Sequence, residues 1–164
     1  MRNLAFIRPF ILKWEGGKSA DPNDAANKDL VPGLAGVHTV KGVTWGAYKA
    51  YKAEHKETPW PTEFLEMRDA LWDAIFEEGY WIPVRAGEAP SQRLANALAD
   101  YAWGGGVNRA VKGLQKALNE QGYSLVVDGV FGERTMEALK TAKEDAVYKA
   151  LMSERLDFLN AIGR

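Results

Sequence analysis

At 164 residues the chain is long enough for one domain, or for two small ones that share a core. Its 21 basic and 22 acidic side chains nearly cancel, which leaves no broad basic face and argues against nucleic acid as the main partner. Cysteine is absent, which excludes disulfides, thiolate zinc sites and thiol catalysis, and with 46% apolar residues the chain needs no staple to fold.

The N-terminal stretch MRNLAFIRPFILKWEGG is apolar but is broken by Arg8, Pro9 and Lys13, and no small-residue cleavage site follows. It reads as neither a secretory signal nor a membrane span. Leu4, Ile7, Ile11 and Trp14 recur at helical spacing, with Pro9 tolerated only in a first turn, so a helix is expected from about residue 8 to Glu15. Gly16-Gly17 ends it as a left-handed cap. Residues 16–43 are rich in Gly, Pro, Asn and Asp and read as loops with a short hairpin.

Thr44 is the expected N-cap of a helix running to about His55, with Trp45, Tyr48 and Tyr51 along one side. The pattern from Thr62 through Phe64, Leu65, Leu71, Trp72, Ile75 and Phe76 predicts one strong helix that ends near Gly79. A further apolar helix is expected over 91–103, interrupted by Gly104-Gly105-Gly106, and another from Val107 to Gln121. A turn at 126–132 precedes two last helices, over about 133–142 and 144–161. The outline is mainly α, with about six to eight helices and a small irregular or β lobe near the N-terminus.

Only His38 and His55 are present, too few for an ordinary histidine-rich metal site, and neither stands near a G-x-S-x-G nucleophile elbow. Hydrolytic chemistry is therefore expected to run on carboxylates. Glu15 ends a helix beside Trp14, whose apolar surroundings would desolvate the carboxyl and favour its protonated form. Asp21 and Asp24 follow within one loop, and Thr39 and Thr44 offer hydroxyls that could position a water.

The elements Glu15-Gly16-Gly17, Asp21-Pro22-Asn23-Asp24 and Thr39-Val40-Lys41-Gly42-Val43-Thr44 stand in the order found at the start of the glycoside hydrolase family 108 muramidases, which this stretch resembles. The eight residues between Glu15 and Asp24 also resemble the Glu…Asp spacing of phage-type lysozymes. The resemblance implies that Glu15 is the catalytic general acid, with Asp24 and Thr39 as helpers; Thr39 is the first candidate for the threonine that follows, and Thr44 the second. The chain departs from the family where Pro-Gly-Gly-Ala would follow the second Asp. Residues 25–38 form a much longer loop there.

Downstream, Tyr80-Trp81, Leu98-Ala99-Asp100-Tyr101, Leu114-Gln115 and Asp128-Gly129-x-x-Gly132-x-x-Thr135 are similar to the peptidoglycan-binding segment of the same family. The last motif has a structural job too, since its glycines permit a tight turn and Thr135 can bond near the next helix start. The resemblance implies a lysozyme-like fold, with a catalytic part over 1–79 and a helical, peptidoglycan-binding-like part over 80–164 packing as one unit. Asp21, Thr44, Tyr80, Trp81 and Tyr101 are the candidate substrate contacts, Tyr101 because it adjoins the triple glycine. Trp45 and Trp103 are further ring candidates, although most rings in such a chain fill the core.

The activity implied is hydrolysis of the β-1,4 bond between N-acetylmuramic acid and N-acetylglucosamine, on the glycan strands of peptidoglycan, with no metal or organic cofactor. Inversion and retention both stay open, since they turn on a carboxyl separation of roughly 6.5–9.5 Å against roughly 5 Å. Two alternatives stand beside it: a wall-binding or secretion-associated protein without turnover, and a lytic transglycosylase. A protein of this kind would be made in the cytoplasm and reach the periplasmic wall by export or by holin-type release, as an endolysin does.

Overall fold

The computed structural model describes residues 4–13, 17–34 and 36–163. They fall into two compact units, one of Arg8–Phe76 and the other of Glu77 onward with the N-terminal residues through Ile7. Among the described residues, no helix is long and apolar enough to cross a membrane.

In the chain's first third, α1 (Ile7–Leu12) carries Pro9 inside its first turn, where no amide hydrogen is needed. Ile7 and Ile11 are buried on one face, as their spacing requires. Arg8 extends from this helix to ion pairs with Asp73 and Asp69. The loops then supply β1 (Lys18–Ser19), β2 (Thr39–Val40) and β3 (Val43–Thr44), paired antiparallel in the order β1-β2-β3. Lys41 and Gly42 both have positive φ, 49° and 80°, as a two-residue hairpin that follows the strand twist demands.

The long loop 25–38 is tied down by its own chemistry. Asp24 caps a 3-10 turn at Ala25–Lys28, Asp29 pairs with Lys49 at 2.8 Å, and Val31 is buried. The Thr44 side chain caps α2 (Trp45–Glu54) by accepting from the Ala47 amide, as expected. Trp45, Tyr48 and Phe64 then pack around one another, tilted or edge-on, with centroids 5.2–5.3 Å apart, each such pair contributing about 0.5–1.5 kcal/mol beyond its buried area.

The single helix expected over 62–79 is divided. α3 (Pro61–Glu66) starts on Pro61, one residue before the expected Thr62, and α4 (Asp69–Phe76) follows. Between them Met67 turns left-handed, at φ 35°. The break is held from outside the segment: the Lys41 ammonium donates to the Met67 carbonyl at 3.0 Å, and the Trp72 indole donates to the Lys41 carbonyl at 3.1 Å. Met67 is fully buried, so burial of its side chain helps to offset a backbone conformation that helical periodicity does not reveal. A π-helical turn, Glu77–Trp81, replaces the expected helix end.

In the other unit, Ser91 caps α5 (Gln92–Gly105), accepting from the Leu94 amide while its hydroxyl donates to Glu144 at 2.8 Å. The helix runs through two of the three consecutive glycines, and only Gly106, at φ 90°, breaks it. α6 (Val107–Glu120), α7 (Glu133–Thr141) and α8 (Glu144–Ala161) complete the unit, with α6 packed on both α5 and α8. A Cβ on Gly113 would lie 2.9 Å from the Tyr101 ring and one on Gly105 3.1 Å from it. The glycines thus make room for that ring between helices.

Gln115, buried on α6, organises the Asp128–Thr135 motif. Its Nε2 faces Asp128 Oδ1 and the Val130 carbonyl, both at 3.1 Å, and Thr135 Oγ1 at 3.3 Å. Its Oε1 accepts from the amides of Asp128 and Gly129 at 3.1 and 3.0 Å. Gly129 has φ 77°, and a Cβ there would sit 2.0 Å from the Asn108 amide. The motif therefore has a clear structural job.

Because Gln115, itself buried, bonds the backbone and side chains of this turn at both ends of its amide, Gln115→Ala should lower the unfolding free energy by about 2–4 kcal/mol in urea titration. A second expectation concerns Glu63, whose carboxyl accepts from the Tyr48 hydroxyl and pairs with the buried Lys52 ammonium. These hydrogen bonds, Tyr48's foremost, hold its pKa below the ordinary glutamate range. Its contribution to stability should be fully present above that range and be lost as pH falls through the lowered value. Urea midpoints of wild type and Glu63→Gln across an acid pH series should therefore converge.

Candidate functional site

The candidate carboxylate site lies in the Arg8–Phe76 unit. Glu15 and the neighbouring Trp14 lie outside the described residues. Immediately after them, the Gly17 carbonyl accepts from the Lys41 amide at 2.8 Å, and Lys18 and Ser19 pair with Val40 and Thr39. The segment that follows Glu15 is thus bonded directly to the strand that carries Thr39.

Thr39 is half-buried, and its register partners are Ser19 on one side and Thr44 on the other. Thr44 spends its side-chain oxygen on the α2 cap, at 3.0 Å from the Ala47 amide. Asp21 and Asp24 are exposed residues of the preceding loop. Asp21 Oδ1 accepts from the Asn23 amide and Asp24 Oδ1 from the Ala26 amide, each at 2.9 Å. Each turn bond uses one carboxylate oxygen and orients the other.

The residue that joins these groups is His38, which sequence reasoning weighed only as a metal ligand or triad member. It is fully buried. Its Nε2 lies 3.1 Å from the Asp21 carbonyl oxygen and its Nδ1 2.7 Å from Thr39 Oγ1. Its backbone is fixed as well, donating to the Ser19 carbonyl at 3.1 Å and accepting from the Trp45 amide at 2.7 Å. A carbonyl can only accept, so Nε2 carries the proton. In the neutral ring Nδ1 then accepts from the Thr39 hydroxyl, which leaves the Thr39 oxygen free to accept from one further donor, such as a water. The only sequence signal for this was a histidine next to the candidate threonine at the end of the extended loop.

The ring candidates separate. Trp45 is buried in the cluster with Tyr48 and Phe64. In the other unit Trp81 is buried, and Tyr80 is half-buried with its ring edge-on to Trp103 at 5.0 Å. Burial pushes the Tyr80 hydroxyl's pKa up, so it stays a donor at neutral pH. Tyr101 is also buried, its ring stacked on Phe158 at 6.0 Å.

Comparison with known proteins gives a consistent picture. The family model described as Glycosyl hydrolase 108 matches residues 8–106, and one described as Predicted Peptidoglycan domain matches residues 109–163. Among solved structures the chain is similar to Brucella abortus SagA, with a TM-score of 0.73 and 26% identity, covering 98% of this chain and 81% of that one. No curated protein matches the chain. The eight α-helices and the three-stranded sheet near the N-terminus, counted among the described residues, make up a mainly helical, lysozyme-like fold.

His38→Ala would strip the Asp21 carbonyl and the Thr39 hydroxyl of a buried partner and leave a cavity. We expect a loss of about 2–4 kcal/mol in denaturant unfolding, with His38→Gln losing less.

Proposed function

From the premise that this chain belongs to the glycosyl hydrolase 108 family and is a peptidoglycan hydrolase, we propose that it cleaves the β-1,4 bond between N-acetylmuramic acid and N-acetylglucosamine, with Glu15 as general acid. What carries this reading is the family match over residues 8–106, the range within which Glu15, Asp24 and Thr39 lie.

Glu15, protonated, gives its proton to the glycosidic oxygen as the bond from that oxygen to the anomeric carbon breaks. The positive charge that develops on the sugar is met by a water or by a carboxylate. Thr39 supports the water route: with its hydroxyl hydrogen engaged by His38, its oxygen accepts a hydrogen from the water and turns the water's lone pair outward. Asp24, in the loop that also carries Asp21, is the group to take up the water's proton or to stabilise the sugar cation directly. Asp21 acts through its backbone, since its carbonyl fixes the His38 tautomer. Thr44 and Tyr80, both half-buried, are proposed as substrate contacts that supply positioning rather than chemistry; Trp81 and Tyr101, expected beside them, are buried and are left out of the glycan site. The two parts of the chain, 1–79 and 80–164, are proposed to work as a single lysozyme-like unit on the glycan strands. The protein meets the periplasmic wall after export or holin-type release.

The test is release of soluble fragments from purified peptidoglycan, with mass analysis of the products. Glu15→Gln should slow release by about 10²–10⁴-fold, the usual contribution of a positioned acid, and Thr39→Val by about tenfold. Reducing, hydrated muropeptides are the expected product. Anhydro products would identify a lytic transglycosylase, and full activity in Glu15→Gln would mean that another group is the acid.

A further inference from the structure

α6 and α8 pack against each other, and between them runs an open cleft of about 280 Å³ that the reaction described above does not use. One wall is cationic: Arg109, Lys112 and Lys116 stand at positions i, i+3 and i+7 of α6 and so share a face. The opposite wall is anionic, with Glu154 and Asp157 at i and i+3 of α8. Opposite charges so placed would ordinarily close on one another, yet among the described residues none of these five makes an ion pair.

Two further features make this a built site. Tyr101 lies at the base of the cleft, 3% exposed, and among the described residues its hydroxyl has no hydrogen-bond partner. Burial pushes its pKa up, which keeps it a donor. The Arg109 guanidinium lies over the Phe158 ring at 4.4 Å, which fixes its direction. That same stacking covers the ring face, and the Tyr101 ring is wedged between Gly105 and Gly113. The cleft thus offers no open aromatic platform for a sugar, while charge of both signs lines it.

We propose that this cleft binds the peptide stem of peptidoglycan, a short peptide that carries carboxylates and a free amine, with the α6 cations on the carboxylates and the α8 carboxylates on the amine. The proposal rests on the reading of peptidoglycan as the substrate. It assigns the recognition of the peptide, rather than of the glycan, to the α6–α8 face. The volume lies at the small end of ligand pockets, which suits a fragment of one or two residues and not a run of sugars.

The test is a titration of the full chain, followed by backbone amide shifts and calorimetry, with the sugar-free tetrapeptide stem released from peptidoglycan by an amidase. The same peptide acetylated on its side-chain amine and a chitooligosaccharide serve as comparison ligands. The free peptide should shift amides of α6 and α8, and the Lys112→Gln/Lys116→Gln double variant should bind it about tenfold more weakly. Acetylation should weaken binding to the wild type by a similar factor, and Glu154→Gln/Asp157→Asn should erase that difference. No binding, shifts confined to other elements, shifts of α6 and α8 by the oligosaccharide alone, or undiminished binding by the charge variants would each overturn the proposal. Fragment release without stem binding would sink this inference and leave the hydrolase reading standing; stem binding at α6 and α8 without release would do the reverse.

Discussion

The Arg8–Phe76 unit is organised around one buried imidazole. His38 is completely enclosed, and both ring nitrogens are engaged, one by the Asp21 carbonyl and the other by the Thr39 hydroxyl. A buried polar ring is stable only when both nitrogens find partners, and here the partners come from opposite ends of the extended loop. The ring therefore closes that loop. It brings the aspartate segment to the strand bearing Thr39 and sets which way the threonine hydrogen points. Had the ring been apolar, the loop would have lost its anchor and Thr39 its fixed acceptor direction.

Around that ring the same unit uses side chains to hold backbone in conformations that local preference disfavours. Lys41 is itself in a left-handed hairpin position, and its ammonium reaches the carbonyl of another left-handed residue, Met67. Trp72 closes the circuit through the Lys41 carbonyl. The hairpin and the α3–α4 break are thus held together, and the sheet that presents Thr39 depends on both.

The second unit solves a different problem. Three helices approach closely because Gly105 and Gly113 leave space for the Tyr101 ring, and the Asp128–Thr135 turn is gathered onto one buried amide, Gln115. Gln115 can do this because an amide both donates and accepts, so it serves the carbonyl, hydroxyl and amide groups of one turn. The same helix, α6, carries three cations that line a cleft with the acids of α8.

Much of this was legible in the chain itself. The helices of residues 91–161, the Thr44 cap and the burial of Ile7 and Ile11 follow from periodicity and capping chemistry, which act over a few neighbouring residues. The ordered motifs at Glu15, Asp21–Asp24 and Thr39–Thr44 carried the resemblance to the family whose model matches residues 8–106, because a motif of neighbouring residues can be read without knowing the fold. Long-range partners were not legible. The split of the expected 62–79 helix at Met67 depends on Lys41, which lies far away in sequence, so helical spacing alone carried no sign of it. The triple glycine looked like an opening to ligand, yet Gly105 and Gly113 are spaces for Tyr101, a fact that appears only once α5 and α6 are packed. His38 was one residue among many until the folded loop placed a carbonyl at one of its nitrogens and a hydroxyl at the other. Local chemistry was thus determined by the sequence alone, while the pairing of buried polar groups was decided by the tertiary structure, because their partners are adjacent in space and remote along the chain.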